Sequence, residues 1–460
     1  MPSDPSPWRP LTERQAAPSD DEAAASHWTK RVGPVVPRGR FGSDPSPSSL
    51  GGGDHETTLI ETASGPAAPA DVGPVPRPRG WLGAGAQALL AALVGRVALA
   101  GIVWLSLRVF PRFAPYPGQL PDTFSPMHPA LDGWARWDAA HYVAIAGQGY
   151  GGSNPSPHGG LGFFPLFPLL MRGMVAASGQ EAAPAHLALA GLILANVCFV
   201  LAVPLLARFG ARQGGPAVGR TASIALGVAP FAFFYNAAYS ESLFLLLVLL
   251  ALSLAHGRRW WWAGLAAGLA SGTRLAGLAL APALLLLAFR RGARGADLLA
   301  VGLLAPSGTV AFAAYTGIAF DDPLAYLHAQ GTWGGWQEHV RFYAELFWRQ
   351  PREALATEPR HLFIMLNLAV ALVSVLLLPL VWRRLDPGTA LFTTLIVAQA
   401  GVTWVSLGRY LLPAVGIYLV AGQLLEGSRL AGWARDGLLV ASTLLMALLA
   451  VLYAHGYWVV

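Results

Sequence analysis

Residues 83–108 read GAGAQALLAALVGRVALAGIVWLSLR, an apolar run in which Arg96 and Arg108 are the charged side chains. A helix of this length can cross the roughly 30 Å hydrocarbon core of a bilayer. Similar runs recur to the end of the chain. Of all 460 residues, 54% are hydrophobic and 12% are charged. A soluble domain carries about twice that charged fraction. The sequence therefore predicts an all-α polytopic membrane protein.

We expect about eleven transmembrane helices, within a range of roughly nine to thirteen. The first lies at 83–108, and the others are predicted at 185–208, 219–237, 241–256, 260–273, 276–289, 296–318, 361–382, 388–406, 410–425 and 437–458. The short runs 260–273 and 276–289 form either a tight hairpin or one long broken helix. The stretch GFFPLFPLLMR at 162–172 is too short to cross, so it predicts a helix lying in the interface.

Residues 1–80 differ from the rest of the chain in composition. They are rich in Pro, Ser, Gly, Ala and Asp and show no apolar periodicity. Such a segment cannot bury enough surface to offset its ordering entropy. We therefore expect a disordered tail at 1–80, followed by a transmembrane domain at 81–460.

The distribution of arginine predicts the orientation. Basic residues cluster in short loops, and short basic loops stay in the cytoplasm. These residues are Arg208, Arg212, Arg220, Arg258, Arg259, Arg290, Arg291, Arg294, Arg383, Arg384, Arg429 and Arg435. The tail is then cytoplasmic, and the long loops at 109–184 and 319–360 lie outside a plasma membrane. An enzyme on that face has no access to nucleotide sugars or ATP, so a lipid-linked donor fits.

Several classes of function are not indicated. The formal net charge of +6 is explained by the loop arginines, and no nucleic-acid module, phosphate-cradling glycine loop or zinc-ligand spacing is found. The single cysteine, Cys198, lies in an apolar run and reads as a small buried residue. Asp321 and Asp322 could bind a metal, but adjacent acids before a proline more often form a helix cap and turn. We expect no required cofactor or metal.

Residues 131–150, LDGWARWDAAHYVAIAGQGY, form a polar and aromatic segment within the first long loop. In a helix, Asp138 and His141 fall on one face. Asp138 could take a proton from an acceptor hydroxyl as a general base, or it could cap a helix beginning at Ala139. His141 could orient the carboxylate, contact a phosphate or serve as the base itself. Asp132 is the weaker candidate, because its DG pair reads as a turn.

Aromatic residues of the same loop have two readings. Trp137 and Tyr142, together with Trp134, could form a platform on which a sugar stacks. Interfacial aromatics are also expected in any membrane protein. We keep Trp137 and Tyr142 as candidate substrate-binding residues.

Three arginines stand where the membrane pattern does not explain them. Arg96 lies within the first span, so it should face a protein or water-lined interior, either as a phosphate ligand or in a structural ion pair. Arg274, in SGTRLAG, lies at an outer turn against the positive-inside pattern. Arg409, in GRYLLPA, lies at an outer helix start, where the helix dipole disfavours a cation. A bound lipid phosphate would explain both outer arginines.

The stretch FFYNAAYSESLF at 233–244 adds polar residues at a predicted outer turn. Glu241 could favour the N-terminus of a helix, bind acceptor hydroxyls or pair with an arginine. Tyr239 in this stretch and Tyr410 beside Arg409 are further candidate substrate-binding residues.

Several motifs together resemble the PIG-V-type mannosyltransferases, the family of GPI mannosyltransferase 2, in a bacterial, actinobacterial-looking form. The matching stretches are WDAAHYVAIAGQGY at 137–150, FFPLFPLLMR at 163–172, FFYNAAYSESLF at 233–244, GLASGTRLAG at 268–277 and RYLLPA at 409–414. They cover most of the chain after residue 80 in the order of the family.

This resemblance implies a GT-C glycosyltransferase that uses a polyprenyl-phosphate mannose donor without a nucleotide and usually inverts the sugar linkage. It implies that Asp138 is the base and His141 its neighbour, with polar site roles for Glu241, Arg274 and Arg409. A bacterial member builds no GPI, so a mannolipid, a cell-wall glycan and a secreted protein all remain open as acceptors. The alternative is a transporter or flippase of polyprenyl-linked saccharides, which would explain the helices and Arg96 without chemistry.

Overall fold

The computed structural model describes residues 80–111, 129–151, 160–331, 341, 344, 359–403, 406–427, 432–457 and 459. Within these residues the regular structure is helical, with no β-strand. The tail predicted at 1–80 lies outside the described residues up to position 79, as do parts of both predicted long loops. The described helices confirm the predicted all-α class.

The α-helices follow one another along the chain with short connections. In chain order the described ones are α1 Gly80–Val109, α2 Pro129–Asp132, α3 Asp138–Gln148, α4 Leu166–Ala177, α5 Pro184–Gly214, α6 Pro216–Gly227, α7 Glu241–His256, α8 Trp260–Ser271, α9 Leu280–Arg290, α10 Gly295–Leu304, α11 Ser307–Phe320, α12 Ala325–Gln330, α13 Pro359–Arg384, α14 Pro387–Thr403, α15 Leu407–Tyr410, α16 Val415–Gly427 and α17 Gly432–Ala454. Short 3-10 helices lie at Gly160–Gly162, Ala232–Tyr235 and Leu275–Ala279.

Several helices have the dimensions of membrane spans. Among the described residues, four helices are long and apolar enough to cross a bilayer, namely α1, α5, α13 and α17. Helices α10 and α11 form a fifth candidate if the pair, bent by 42°, counts as one span. The chain is therefore a multi-pass membrane protein, as predicted. The count of about eleven spans stays a prediction, because helices such as α7 and α16 are shorter than the roughly 20 residues that a perpendicular span needs.

The span predicted at 219–237 is wrong in its second half. Helix α6 ends at Gly227, and the chain then turns through Pro230 into the 3-10 helix Ala232–Tyr235. Proline has no N–H to continue an α-helix. The segment is as apolar as a membrane span for a different reason. Its side chains Phe233, Phe234 and Tyr235 are fully buried within the protein and are not exposed to lipid.

The pair 260–273 and 276–289 forms the tight hairpin that the sequence offered as one of two possibilities. Helix α8 ends at Ser271, and the 3-10 helix Leu275–Ala279 packs directly against it before α9 begins. The close approach requires glycine at position 277, since a Cβ there would lie 2.4 Å from the backbone nitrogen of Ser271. This geometry holds Arg274 at the tip of the turn.

Helix α7 lies at the centre of the described helices and packs against α5 and α8. Most of its side chains are buried, including Glu241 at its first position. Helix α3 of the first long loop, the α8–α9 turn and α15 bring their polar residues to this end of α7. The chain thereby gathers side chains from four distant segments.

Candidate active site

Asp138 begins helix α3, directly after a strained residue. Trp137 occupies the N-cap position with φ 54° and ψ −116°, a positive φ that is uncommon for a non-glycine residue, and it makes no side-chain cap bond. Asp138 is therefore not the helix cap that the sequence allowed. Its carboxylate instead turns away from the helix and accepts a hydrogen bond from Arg409 Nη1 at 2.5 Å. About a third of the Asp138 side chain, 31%, remains exposed.

Arg409 joins two carboxylates from distant parts of the chain. While Nη1 pairs with Asp138, the Nε of Arg409 donates to Oε1 of Glu241. Arg274 Nη1 reaches the same Oε1 atom at 2.6 Å. Asp138, Glu241, Arg274 and Arg409 thus form one charge cluster with two formal positive and two formal negative charges.

Hydroxyl groups connect the charge cluster to helix α3 and α7. Ser240 Oγ accepts a hydrogen bond from Arg274 Nη1 at 3.3 Å and lies 2.8 Å from the Tyr142 hydroxyl. Tyr142 is buried, with its ring edge against Phe163 and Phe167. Tyr142 therefore contacts the cluster through Ser240, and its buried ring presents no open face on which a sugar could stack.

Tyr239 supports both Asp138 and Arg409. Its hydroxyl accepts from the Asp138 backbone N–H at 3.2 Å and donates to the Arg136 carbonyl at 2.9 Å. Its ring lies beneath the Arg409 guanidinium, 4.5 Å from centroid to Cζ, a cation–π distance. Tyr453 of α17 donates to the same Arg136 carbonyl at 3.1 Å. Since Tyr239 is fully buried, these contacts fix the start of α3.

The electrostatics of the charge cluster favour an ionised Asp138. Burial by itself raises the pKa of this carboxyl. The charges of Arg409, His141 and Arg274 and the hydrogen bond from Arg409 lower the pKa by more than burial raises it, so the pKa lies below its usual value. A carboxylate that stays ionised and partly exposed can accept a proton. This is the property that a general base requires.

A close contact of glycine fixes the position of Arg409. Ser406 is the N-cap residue of the short helix α15 and lies in the left-handed region with φ 57°. Gly408 follows against the ring of Phe231. A Cβ on Gly408 would lie 2.1 Å from that ring, and the Gly408 N–H donates to Asn367 Oδ1 at 2.7 Å. Because glycine lets α15 pack closely against Phe231, Arg409 can contact the carboxylates of both Asp138 and Glu241.

A small cavity adjoins the charge cluster on the side of helix α14. Its lining comprises Glu241, Phe244, Arg274, Ala276, Ile396, Gln399, Ala400, Arg409, Tyr410 and Pro413. The Tyr410 ring lies 5.2 Å from the Arg274 guanidinium carbon. Asp138 does not line this cavity, although its partner Arg409 does.

The remaining predicted site residues occupy other positions. His141 stacks on Phe163 with ring centroids 4.6 Å apart and acts on Asp138 through its charge. Trp137 packs partly into the core, and its buried indole Nε1 has no partner among the described residues. Arg96 lies over the Phe199 ring at 3.7 Å, and no contact between described residues joins it to the charge cluster.

The paired acids of the second long loop serve local structure. Asp321 ends α11 in the left-handed region with φ 55°, while Asp322 accepts from the Leu324 N–H and lies 2.7 Å from His328 Nδ1. In the part of the chain that the structure describes, no group of three or more His, Cys, Asp or Glu side chains could hold a metal ion.

Two polar residues near the charge cluster were missed by the sequence reasoning. Ser240 lies in the stretch at 233–244 and connects Arg274 to Tyr142, but its small uncharged side chain gives no signal in the sequence. Gln399 lies in α14, one helical turn from Ile396 and beside Ala400, and these three residues share the face that lines the cavity. A polar side chain within an apolar span is itself a signal of function, and that signal could have identified Gln399.

Part of this site lies in a segment that is similar to a known family. Residues 123–291 match the family model described as Mannosyltransferase (PIG-V). That segment contains Asp138, Glu241 and Arg274, whereas Arg409 follows it in the chain. A search of curated proteins finds none that matches.

Among solved structures, the chain is similar to two crystal structures of ArnT from Cupriavidus metallidurans. For the structure bound to undecaprenyl phosphate, the identity is 14%, the TM-score is 0.42, and the match covers 76% of this chain and 62% of that one. For the apo state, the identity is 16% and the TM-score 0.43, with the same 76% and 62% coverage. The chain thus spans less than two thirds of the length of ArnT. The family match confirms the predicted resemblance to PIG-V-type mannosyltransferases over residues 123–291.

Proposed function

We propose that this protein transfers mannose from polyprenyl-phosphate mannose to an acceptor hydroxyl, with Asp138 as the general base. The observation that carries this proposal is the Asp138 carboxylate, which is paired with Arg409 through Oδ2 yet remains 31% exposed. The family match supports mannose as the transferred sugar. The proposed acceptor is a glycolipid, a glycan or a secreted protein.

The proposed step forms one bond and breaks another at the anomeric carbon. Asp138 takes the proton of the acceptor hydroxyl as its oxygen bonds to this carbon, and the bond from the carbon to the phosphate oxygen breaks. Polyprenyl phosphate leaves with the electron pair, and the configuration inverts. Because phosphate is a good leaving group, one carboxylate suffices where glycoside hydrolases need two.

Arg274 and Arg409 are proposed to stabilise the leaving phosphate. Both arginines form ion pairs with the carboxylates of the cluster. As negative charge collects on the phosphate during bond breaking, both guanidinium groups would attract it and lower its energy. In this scheme the arginines supply the positive charge, and neither a nucleotide nor a metal is required. Arg96 stays a proposed third phosphate ligand within the membrane.

We further propose the side of the membrane on which this happens. The basic loops predict a cytoplasmic tail and a charge cluster on the extracytoplasmic face of the plasma membrane. A lipid-linked donor reaches that face within the bilayer. The proposed architecture is that of a GT-C enzyme, with the base in the first extracytoplasmic loop.

Replacement of Asp138 tests the proposed function. In Asp138→Asn we expect transfer of mannose from polyprenyl-phosphate mannose to fall by about 10²–10⁴-fold, because the amide cannot accept the proton. The variant should melt near the wild-type temperature, since Asn keeps the size of the side chain. The measurement is transfer by purified protein in detergent or liposomes to a panel of lipid and glycan acceptors.

Asp436→Asn is the matched control, because Asp436 is exposed on α17 and pairs with its neighbour Arg435. It should keep full activity. Full transfer by folded Asp138→Asn would contradict the assignment of the base. Movement of the lipid-linked sugar across liposomes without any transfer would instead support a flippase and overturn the enzyme proposal.

A further inference from the structure

The small cavity beside the charge cluster is lined by a buried carboxylate, and one oxygen of this carboxylate has no partner in the described part of the chain. Glu241 lines this cavity, and its side chain is 3% exposed. Oε1 binds both arginines, but Oε2 has no hydrogen-bond partner among the described residues. A buried carboxylate oxygen without a donor is costly. A ligand that donates a hydrogen bond would satisfy it.

Gln399 supplies a second free polar group in the same cavity. It is half-buried in helix α14, and in the part of the chain that the structure describes its amide has no hydrogen bond or ion pair. An amide both donates and accepts. A polar side chain placed in an apolar span without an internal partner is expected to face a ligand.

The chemistry of these groups selects one class of ligand group. A hydroxyl can donate to Glu241 Oε2 and accept from the Gln399 amide or from the hydroxyl of Tyr410, another lining residue. A phosphate oxygen at neutral pH can only accept, and it would bring negative charge against Glu241. The cavity is small, so it fits one substituent of a larger substrate.

The position of the cavity relates this hydroxyl to the donor. Arg274 and Arg409 line it, and both are the proposed ligands of the donor phosphate. The transferred sugar is attached directly to that phosphate, so its hydroxyl groups lie within one ring of it. Asp138, which is proposed to face the acceptor, does not line the cavity.

We propose that this cavity binds one hydroxyl group of the transferred sugar and that Gln399 is a specificity-determining residue for the donor. This inference rests on the proposed function. Glu241 accepts the hydrogen of the sugar hydroxyl, while Gln399 donates to its oxygen. The cavity thereby distinguishes sugars by whether a hydroxyl is present at one ring position.

A series of donors tests this assignment. Wild type and Gln399→Leu are compared with polyprenyl-phosphate mannose and with the monodeoxy analogues of its sugar. One analogue should lower the wild-type kcat/KM by roughly tenfold. Gln399→Leu should lose roughly tenfold with the natural donor and should discriminate less against that one analogue, with its discrimination against the others unchanged. Gln399→Met gives the same comparison with a side chain of similar length.

Gln180→Leu is the matched control, because Gln180 is exposed in the loop after α4 and should leave every kcat/KM unchanged. Unchanged discrimination in active Gln399→Leu would overturn this inference alone. So would equal losses with all donors, which indicate a phosphate ligand, or altered discrimination among acceptors. Absence of wild-type transfer from every mannosyl donor would overturn the proposed function and this inference together.

Discussion

Arg409 divides its guanidinium between two carboxylates of different exposure. Glu241 is buried, whereas Asp138 is partly open, so one partner anchors the arginine and the other is available for chemistry. A guanidinium suits this role because its donors lie in a fixed plane. If a donor phosphate takes part of the positive charge, the pKa of Asp138 rises and the carboxylate becomes a stronger base.

Removal of the Arg409 charge should therefore change the pH dependence of transfer. The pKa of Asp138 lies below its usual value, with Arg409 the largest of the lowering influences. In Arg409→Gln the pKa should rise, so Asp138 protonates at a higher pH and the acidic limb of kcat/KM moves upward. The residual activity of this variant, measured from pH 4 to pH 8, checks the direction.

Arg435→Gln serves as the comparison, because Arg435 pairs with Glu426 and Asp436 away from the charge cluster. Its acidic limb should match that of wild type. An unshifted limb in Arg409→Gln would argue that another group sets the pH dependence.

Glu241 should contribute to stability as well as to function. Glu241→Gln leaves Arg274 and Arg409 without their shared buried counter-charge, and breaking a buried pair in this way costs about 3–5 kcal/mol. We expect a lower free energy of unfolding in detergent together with weaker transfer. In Glu426→Gln, whose carboxylate is more exposed, the loss should stay near 1 kcal/mol. Equal losses in the two variants would contradict the central role of Glu241.

At the residue scale the sequence marked all four members of the charge cluster as candidate site residues, but it also marked others, such as Arg96, and did not predict which residues pair. Asp138, Glu241, Arg274 and Arg409 each stood out as polar residues in unusual positions. Their pairing depends on the packing of helices that are far apart in sequence, which no local pattern encodes. Ser240 and Gln399 have no charge, so their signals were weaker still.

At the scale of elements, the packing of the short helix α15 determines the position of Arg409. Gly408 permits α15 to lie against Phe231, whose ring is itself buried. Any side chain at position 408 must push the helix or the ring aside. A displacement of α15 moves Arg409 away from Asp138 and Glu241 together.

Gly408→Ala should therefore reduce transfer without touching a charged residue. The added methyl group would lie 2.1 Å from the Phe231 ring, and overpacking of this kind costs typically about 1–3 kcal/mol. We expect lower thermal stability and a loss of transfer of at least about tenfold, since small misplacements of catalytic groups are costly. Melting temperature and kcat/KM are the measurements.

Gly401→Ala in α14 gives a matched change, because a Cβ there would meet no atom of the described residues within 4 Å. It should be neutral or slightly stabilising. If Gly408→Ala were equally neutral, the seating of α15 would not depend on glycine.

The sequence predicted helices better than it predicted their boundaries or depth. Apolar composition located α1, α5 and α17 well, because a span exposed to lipid must be long and continuous. It could not separate lipid contact from burial in protein. The segment from Phe231 to Tyr235 is as apolar as a span, yet it is a buried turn that follows α6.

At the scale of the whole molecule, the proposed orientation follows from loops at the two ends of the helices. Gln180 lies in the first long loop, which is predicted to be outside, and Arg259 lies in a basic loop that is predicted to be inside. Both lie on the described surface, so each position can carry a reporter.

Cysteine labelling tests this orientation. The single native cysteine, Cys198, is buried and can be replaced in a Cys198→Ala background. On intact cells, a membrane-impermeant maleimide should label Gln180→Cys and not Arg259→Cys, whereas permeabilised cells should show both. The opposite pattern would place the charge cluster in the cytoplasm and remove the argument for a lipid-linked donor.

The ion pair between Asp138 and Arg409 joins residues that are 271 positions apart in the chain. During synthesis, Asp138 leaves the ribosome long before Arg409, and the helices between them must be inserted first. A nascent chain therefore holds the proposed base before it holds the arginine that pairs with it. Competence for sugar transfer would arise as one of the last events of biogenesis, after most of the membrane domain has assembled.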